Sequence, residues 1–186
     1  SSYQEEVLPT SAVVDIQKLE ALDDNNKLGM LFYQPQEAVL TQSKVRLKLF
    51  HKDEPIHLSD VLPMLENFGL RVINERPYEI KTADNGTYWI LDFLMTVKAG
   101  TGVNIVDSQE RFQTALYQVW NRQLDDDSFN KLVLSTSLSG KEISVIRAYA
   151  KYMRQIDSTF SQAYIEDTFT CYPYIAELLV KMFIRK

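Results

Sequence analysis

His51, Asp53, Glu54, His57 and Asp60 lie close together in one short stretch of this chain. Imidazole and carboxylate groups are the usual ligands of zinc and related ions. Their spacing here matches no ligand signature, so the stretch reads as a solvated loop between a strand and a helix, and no metal is expected. Only two histidines occur, and neither stands in a nucleophile motif, so no Ser-His-Asp triad is expected. Cys171 is the single cysteine. Beside Pro173 it reads as a small packing residue rather than a reactive thiol. No glycine-rich dinucleotide turn occurs. Lys44, Arg46 and Lys48 form a basic stripe, and with Tyr88 nearby they raise an RNA-binding reading. Against it, TYWILDFLMTV (87–97) lacks the glycine–aromatic signature of RNA-binding sheets. A solvated or partner-covered face is expected instead. Catalytic, cofactor-binding and metal-binding residues are therefore all expected to be absent.

The elements that would position such groups begin with LSDVLPMLENFGLRVINERPY, residues 58–78. Ser59 is placed to cap a helix whose apolar face is Val61, Leu62, Leu65 and Phe68. Pro63 falls near the first turn, where a missing N–H costs little. Gly69 is placed to end the helix in the left-handed conformation, and a strand follows directly. Upstream, residues 1–10 read as loose. Thr10 or Ser11 could cap a helix whose stripe is Val13, Ile16, Leu19 and Leu22, closed by Asp23–Asn26. Leu28–Tyr33 is a short strand, Gln34–Ser43 a loop, and Lys44–Phe50 an alternating strand. Downstream, Asn85-Gly86 is a two-residue hairpin turn leading into a strand to Val97. Asn85-Gly86-Thr87 also has the form of a glycosylation sequon, but with no secretory signal visible it reads as a turn. Lys98–Asn104 is a loop. Asp107 with Glu110 has capping-box spacing ahead of the stripe Phe112, Ala115, Leu116, Val119 and Trp120.

The order strand, strand, helix, strand, strand, helix is a ferredoxin-like unit with one strand moved to the front. Leu28–Tyr33 then fills the slot of the missing last strand, paired to Lys44–Phe50. The expected fold is α+β: a permuted ferredoxin-like antiparallel sheet with two helices on one face. Arg71–Tyr78 becomes an edge strand, where Pro77 is tolerable. After Asp125–Asp127 the character is all helical. Phe129, Leu132 and Val133 suit a short helix. Ser139 with Glu142 forms a second capping box. Ile143, Ile146, Ala150 and Met153 then make a stripe widened by Tyr149, Tyr152 and Ile156. Ser161–Thr168 follows, then a helix opened by Pro173 with Ile175, Leu178, Leu179, Met182 and Phe183 inward. That helix carries no stop signal, so the chain is expected to be cut from something longer. The divisions expected are 1–27, an extension with a helix; 28–124, the α+β domain; and 125–186, a helical region.

A net charge of −5 over 186 residues argues against nucleic acid or an anionic membrane as the main partner. A lone cysteine and a polar, acidic start point to the cytoplasm. The apolar-rich run Ile175–Ile184 is too short to span a bilayer.

LSDVLPMLENFGLRVINERPYEI, WILDF, RAYAKYMRQ and SQAYIEDTF, taken together, resemble the large bacterial NAD-specific glutamate dehydrogenases. The likeness runs roughly from Ser11 to Lys186. It implies that 28–124 is an ACT-like domain and that the start of a helical region follows, upstream of the catalytic domain. It further implies a homo-oligomeric parent that converts L-glutamate, NAD and water to 2-oxoglutarate, ammonium and NADH. The family's catalytic lysine and nucleotide-binding glycines match no position here, so this piece is expected to be inactive and to hold no NAD. ACT domains often bind amino acids beside a glycine after the first strand, but the loop HKDEPIHL (51–58) has none. A regulatory or assembly role follows, with other domains or protomers as partners. The alternative is a free-standing ferredoxin-like module that binds RNA or protein.

Trp89, Leu91, Phe93, Met95 and Val97 are assigned to the sheet's core face by alternation. Tyr88, Ile90 and Leu94 then project from the other face. That face is too apolar to stand in water, so these three residues form the candidate interface. Within this chain, the helix Ser11–Leu22 or the carboxy-terminal helices are the candidate covers.

Overall fold

The computed structural model describes residues 2–35, 44–82, 86–97, 105–156 and 159–185. Its elements are α1 (Ser2–Glu6), α2 (Pro9–Glu20), β1 (Leu28–Tyr33), β2 (Lys44–Lys52), α3 (Leu58–Asn67), β3 (Leu70–Lys81), β4 (Thr87–Val97) and α4 (Ile105–Trp120). A short 3-10 turn at Ser128–Asn130 then leads to α5 (Lys131–Ser135), α6 (Gly140–Gln155), α7 (Gln162–Cys171) and α8 (Pro173–Ile184). The four strands form one antiparallel sheet in the order β1-β2-β4-β3. This is the permuted ferredoxin-like order, with β1 in the displaced slot and β3 at an edge.

The chain divides into two compact units, Ser1–Val61 with Val72–Thr96, and Leu62–Arg71 with Val97–Lys186. This partition differs from the sequence divisions 1–27, 28–124 and 125–186. The amino-terminal helices belong with the sheet, and α4 belongs with the later helices.

In the first unit, β2 and β4 pair in antiparallel register, Leu47 opposite Phe93 and Leu49 opposite Leu91. The alternating set Val45, Leu47, Leu49, Leu91, Phe93 and Met95 is buried, as period-2 patterning requires. Pro77 sits in the edge strand β3, the place in a sheet where proline is tolerated. Asn85 and residues 98–104, read above as turn and loop, lie outside the described residues, as does most of the loop 34–43. Beside the first of these, the Thr82 N–H donates to the Gly86 carbonyl at 3.0 Å.

Several helix starts differ from expectation. Residues 2–6 are helical rather than loose. Pro9 opens α2 as its first residue, and neither Thr10 nor Ser11 caps it, because proline's missing N–H costs nothing there. Ser59 lies inside α3, and Asp107 inside the first turn of α4. The capping box of Ser139 and Glu142 is formed, with both reciprocal bonds present.

In the second unit, Phe112, Leu116, Phe129, Leu132, Ile143 and Ile146 are buried. The acidic run 125–127 is no loose linker. Arg147, 4% exposed, donates from Nε and Nη2 to Asp127 at 2.8 and 2.9 Å and from Nη2 to Asn130 Oδ1 at 2.7 Å. Tyr149, Tyr152 and Ile156 are exposed and do not widen the α6 stripe. On α8 the buried pair is Ala176 and Val180, while Ile175, Leu178, Met182 and Phe183 are exposed. This helix buries its small side chains, while Phe183, though exposed, meets Tyr149 of α6 edge to face, with ring centroids 6.3 Å apart.

Gly69 holds φ at +79°, and its N–H closes the α3 turn onto the Glu66 carbonyl at 2.9 Å. A Cβ there would stand 3.3 Å from Lys131 Cγ. We expect Gly69→Val to destabilise the fold by about 1–3 kcal/mol through backbone strain. Urea denaturation of variant and parent measures this, and an unchanged midpoint would contradict it.

Candidate functional site on the second face of the sheet

The face opposite the main core carries Tyr88, Ile90, Asp92 and Leu94 from β4, by alternation with Leu91, Phe93 and Met95. Register places Phe50 opposite Ile90, Lys48 opposite Asp92 and Arg46 opposite Leu94. From β1, Leu31 lies opposite Lys48 and Tyr33 opposite Arg46. The face therefore has an apolar end around Phe50 and Ile90 and a charged middle.

Helix α2 covers the apolar end. Leu19, Leu22, Phe50, Tyr78 and Ile90 form one buried cluster, flanked by the partly buried Tyr3, Val7, Leu31, Ile80 and Tyr88. Gly29 lies against this cluster, where a Cβ would make ordinary contact with Leu22 and Phe50 at 3.4 Å. The inward residues of α2 are Asp15 and Leu19, spaced i, i+4, and Leu22 follows just past the helix end. Val13 and Ile16, expected inward, are 56% and 51% exposed. Of the candidate interface, Ile90 is 1% exposed beneath α2, and Tyr88 and Leu94 are half-buried. The amino-terminal helix is thus the cover this chain supplies.

The charged middle is buried too. Lys48, 3% exposed, donates to Asp15 Oδ2 at 2.6 Å, and the Tyr3 hydroxyl donates to the same oxygen at 2.6 Å. Asp15 Oδ1 has no hydrogen-bond partner. Arg46 Nε stands 3.5 Å from Asp92 Oδ1, and neither atom makes a hydrogen bond. This is a Coulombic contact rather than a bonded pair. Burial pushes the Asp92 carboxyl above the usual carboxylate range, opposed by the nearby Arg46 and Lys48 charges. Burial and the bond to Asp15 raise the Tyr3 hydroxyl. A second seam lies alongside: Arg76 and the Tyr78 hydroxyl each donate to Glu6 Oε2 at 2.9 Å. Tyr3 and Tyr78 also meet edge to face, with ring centroids 5.2 Å apart.

Two members of the basic stripe are thereby engaged by carboxylates of this chain, and only Lys44 is exposed. The stripe is therefore not a row of three free cations. The loop 51–58 shows local pairing: His51 Nδ1 lies 2.9 Å from the Glu54 carbonyl oxygen, and Asp53 pairs with Lys27 at 3.1 Å. Asp53 itself takes the positive φ, 73°, that a glycine would otherwise supply. Among the described residues, no three His, Cys, Asp or Glu side chains are grouped to hold a metal, and no helix is long and apolar enough to cross a membrane. Cys171 is exposed, which corrects its reading as a packing residue.

Sequence reasoning missed Asp15. A signal existed: the spacing Asp15, Leu19, Leu22 competes with Val13, Ile16, Leu19, and a lysine faces it from the strand.

Fold and site together define an α+β segment: a permuted ferredoxin-like sheet clamped by amino-terminal helices and followed in the chain by a helical region. Family models give that class its place. Residues 27–108 match the ACT3 domain of glutamate dehydrogenase, 124–186 its helical motif 3, and 1–22 its helical motif 2. The chain belongs to the NAD-specific glutamate dehydrogenase family, as a piece of such an enzyme. It is similar to the NAD-specific glutamate dehydrogenase of Halomonas elongata, 40% identical over 183 residues, and to that of Pseudomonas aeruginosa, 40% over 185. Identity to the Mycobacterium tuberculosis enzyme is 30% over 187 aligned positions. Each alignment covers 98% of this chain but 11% of the relative.

Proposed function

We propose that this chain is a non-catalytic regulatory or assembly segment of an NAD-dependent glutamate dehydrogenase working in the cytoplasm. The parent would oxidise L-glutamate with NAD and water to 2-oxoglutarate, ammonium and NADH. The observation that carries this reading is the succession of three glutamate dehydrogenase segments along the chain, 1–22, 27–108 and 124–186. Partners would be other domains of the same polypeptide or other protomers of a homo-oligomer. The 28–124 division would serve as scaffold or oligomer contact rather than as an amino-acid receptor, since the loop 51–58 lacks glycine. Contact on the second sheet face would fall at its rim, on Tyr88 and Leu94, because Ile90 is already covered.

The isolated chain is expected to show no saturable NAD binding in calorimetry and no NADH production from glutamate. Micromolar NAD binding would overturn the reading.

A further inference from the structure

Helices α1 and α2 lie within the match to helical motif 2, and the sheet beneath them lies within the match to the ACT3 domain. Two kinds of contact join them. Apolar contact gathers around Phe50 and Ile90, and an ionic seam lies beside it. Its members face one another from every neighbouring element. Asp15 comes from α2 and Tyr3 from α1; Lys48 and Arg46 come from β2, Asp92 from β4, Arg76 from β3 and Tyr33 from β1. Formal charges balance, Lys48 with Asp15 in a buried pair and the half-exposed Arg46 with the buried Asp92. The two pairs are not equivalent. The first is a bonded contact at 2.6 Å, while the second leaves Asp92 Oδ1 and Arg46 Nε without hydrogen bonds. A carboxylate held so poorly in a dry place resists ionisation.

We propose that α1–α2 is a latch on the ACT-like sheet, clamped by the buried Lys48–Asp15 pair and loosened when Asp92 beneath it ionises.

The sign follows from linkage. With α2 docked, Asp92 is 5% exposed and its carboxyl is raised by burial. With α2 lifted, water reaches Asp92 while Arg46 and Lys48 stay beside it on the sheet, so the carboxylate is favoured. The docked state therefore holds the proton to higher pH than the open state. Docking is tightest below both values, weakens as pH rises between them, and is constant above the docked value. Each unit separating the two adds about tenfold to the opening equilibrium. Opening would expose Phe50 and Ile90 together with Lys48, so the helical motif and the ACT-like sheet would move apart as a proton-linked event.

The test is hydrogen–deuterium exchange of residues 2–20 in the full 186-residue chain across the pH range from ordinary aspartate titration to neutrality, corrected for intrinsic exchange rates. In the parent, opening of α2 should increase with pH by up to about tenfold per unit of separation. Asp92→Asn should flatten that profile and hold α2 closed throughout. Asp15→Asn should raise opening at every pH and, by removing a carboxylate that helps raise Asp92, narrow the pH window over which the profile climbs. A parent profile with no slope, or an Asp92→Asn profile that keeps the parent's slope, overturns the proposal. Exchange of β2 and β4 amides reports whether each variant remains folded.

Discussion

Lys48→Met is expected to destabilise the first unit by about 3–5 kcal/mol, the cost of breaking a buried ion pair by removing one partner. The variant keeps the length and apolar stem of the side chain but leaves the Asp15 carboxylate 1% exposed with no cation at 2.6 Å. Tyr3 would then be the only donor left on that carboxylate from the bonds seen here, and one hydroxyl cannot replace an ammonium in a dry site. The double variant Lys48→Met with Asp15→Leu should recover most of the loss, because well-packed apolar groups replace a buried pair at little or no cost. Urea denaturation of parent, both single variants and the double variant gives the coupling energy. If the double variant is as unstable as the sum of the singles, the two side chains do not interact and the clamp is misassigned.

Strand order was legible because it rests on alternation and on turn chemistry. The stripe Val45, Leu47, Leu49 and the run Trp89–Val97 each fix which side of a strand is dry, and Pro77 marks an edge. These are local signals that the finished sheet has no reason to override. The capping box at Ser139 and the stop at Gly69 were legible for the same reason, since each is settled within one turn of chain. Less could be read where two faces of one helix compete. In α2, both Val13–Ile16 and Asp15–Leu19 are plausible inward sets, and the lysine that selects the second lies on a strand far along the chain. In α8, large apolar residues read as inward, but close approach of helices favours Ala176 and Val180. The candidate site was half visible. Alternation picked out Tyr88, Ile90 and Leu94 and the need for a cover. It gave no hint that Asp92 between them would be buried with Arg46 and Lys48, because pairing of distant charges leaves no periodic trace. Helix α1 was missed because five residues carry too little pattern to distinguish a turn of helix from a loose end.

Ile90→Asp should destabilise the first unit by at least about 4 kcal/mol, combining lost apolar burial with a carboxylate placed in an apolar cluster. Leu19, Leu22 and Phe50 surround the site, with Tyr78 in the same cluster and Tyr88 at its margin. None of these offers the new carboxylate a cation. Leu94→Asp gives the contrast. Leu94 is half-buried and lies opposite Arg46 in the β2–β4 register. An aspartate there meets a guanidinium across the strand pair, so the change should stay within about 1 kcal/mol. The two substitutions put the same charge on the same face of the same strand, and they differ in what stands above them. Thermal unfolding followed by circular dichroism separates them in the isolated chain, and sedimentation of the full-length enzyme carrying Leu94→Asp then asks whether the rim is used in assembly. A folded enzyme that dissociates more readily supports the rim contact, and unchanged assembly removes Leu94 from it. If Ile90→Asp unfolds no earlier than the parent, α2 does not cover Ile90 in solution, and the whole face becomes free for a partner.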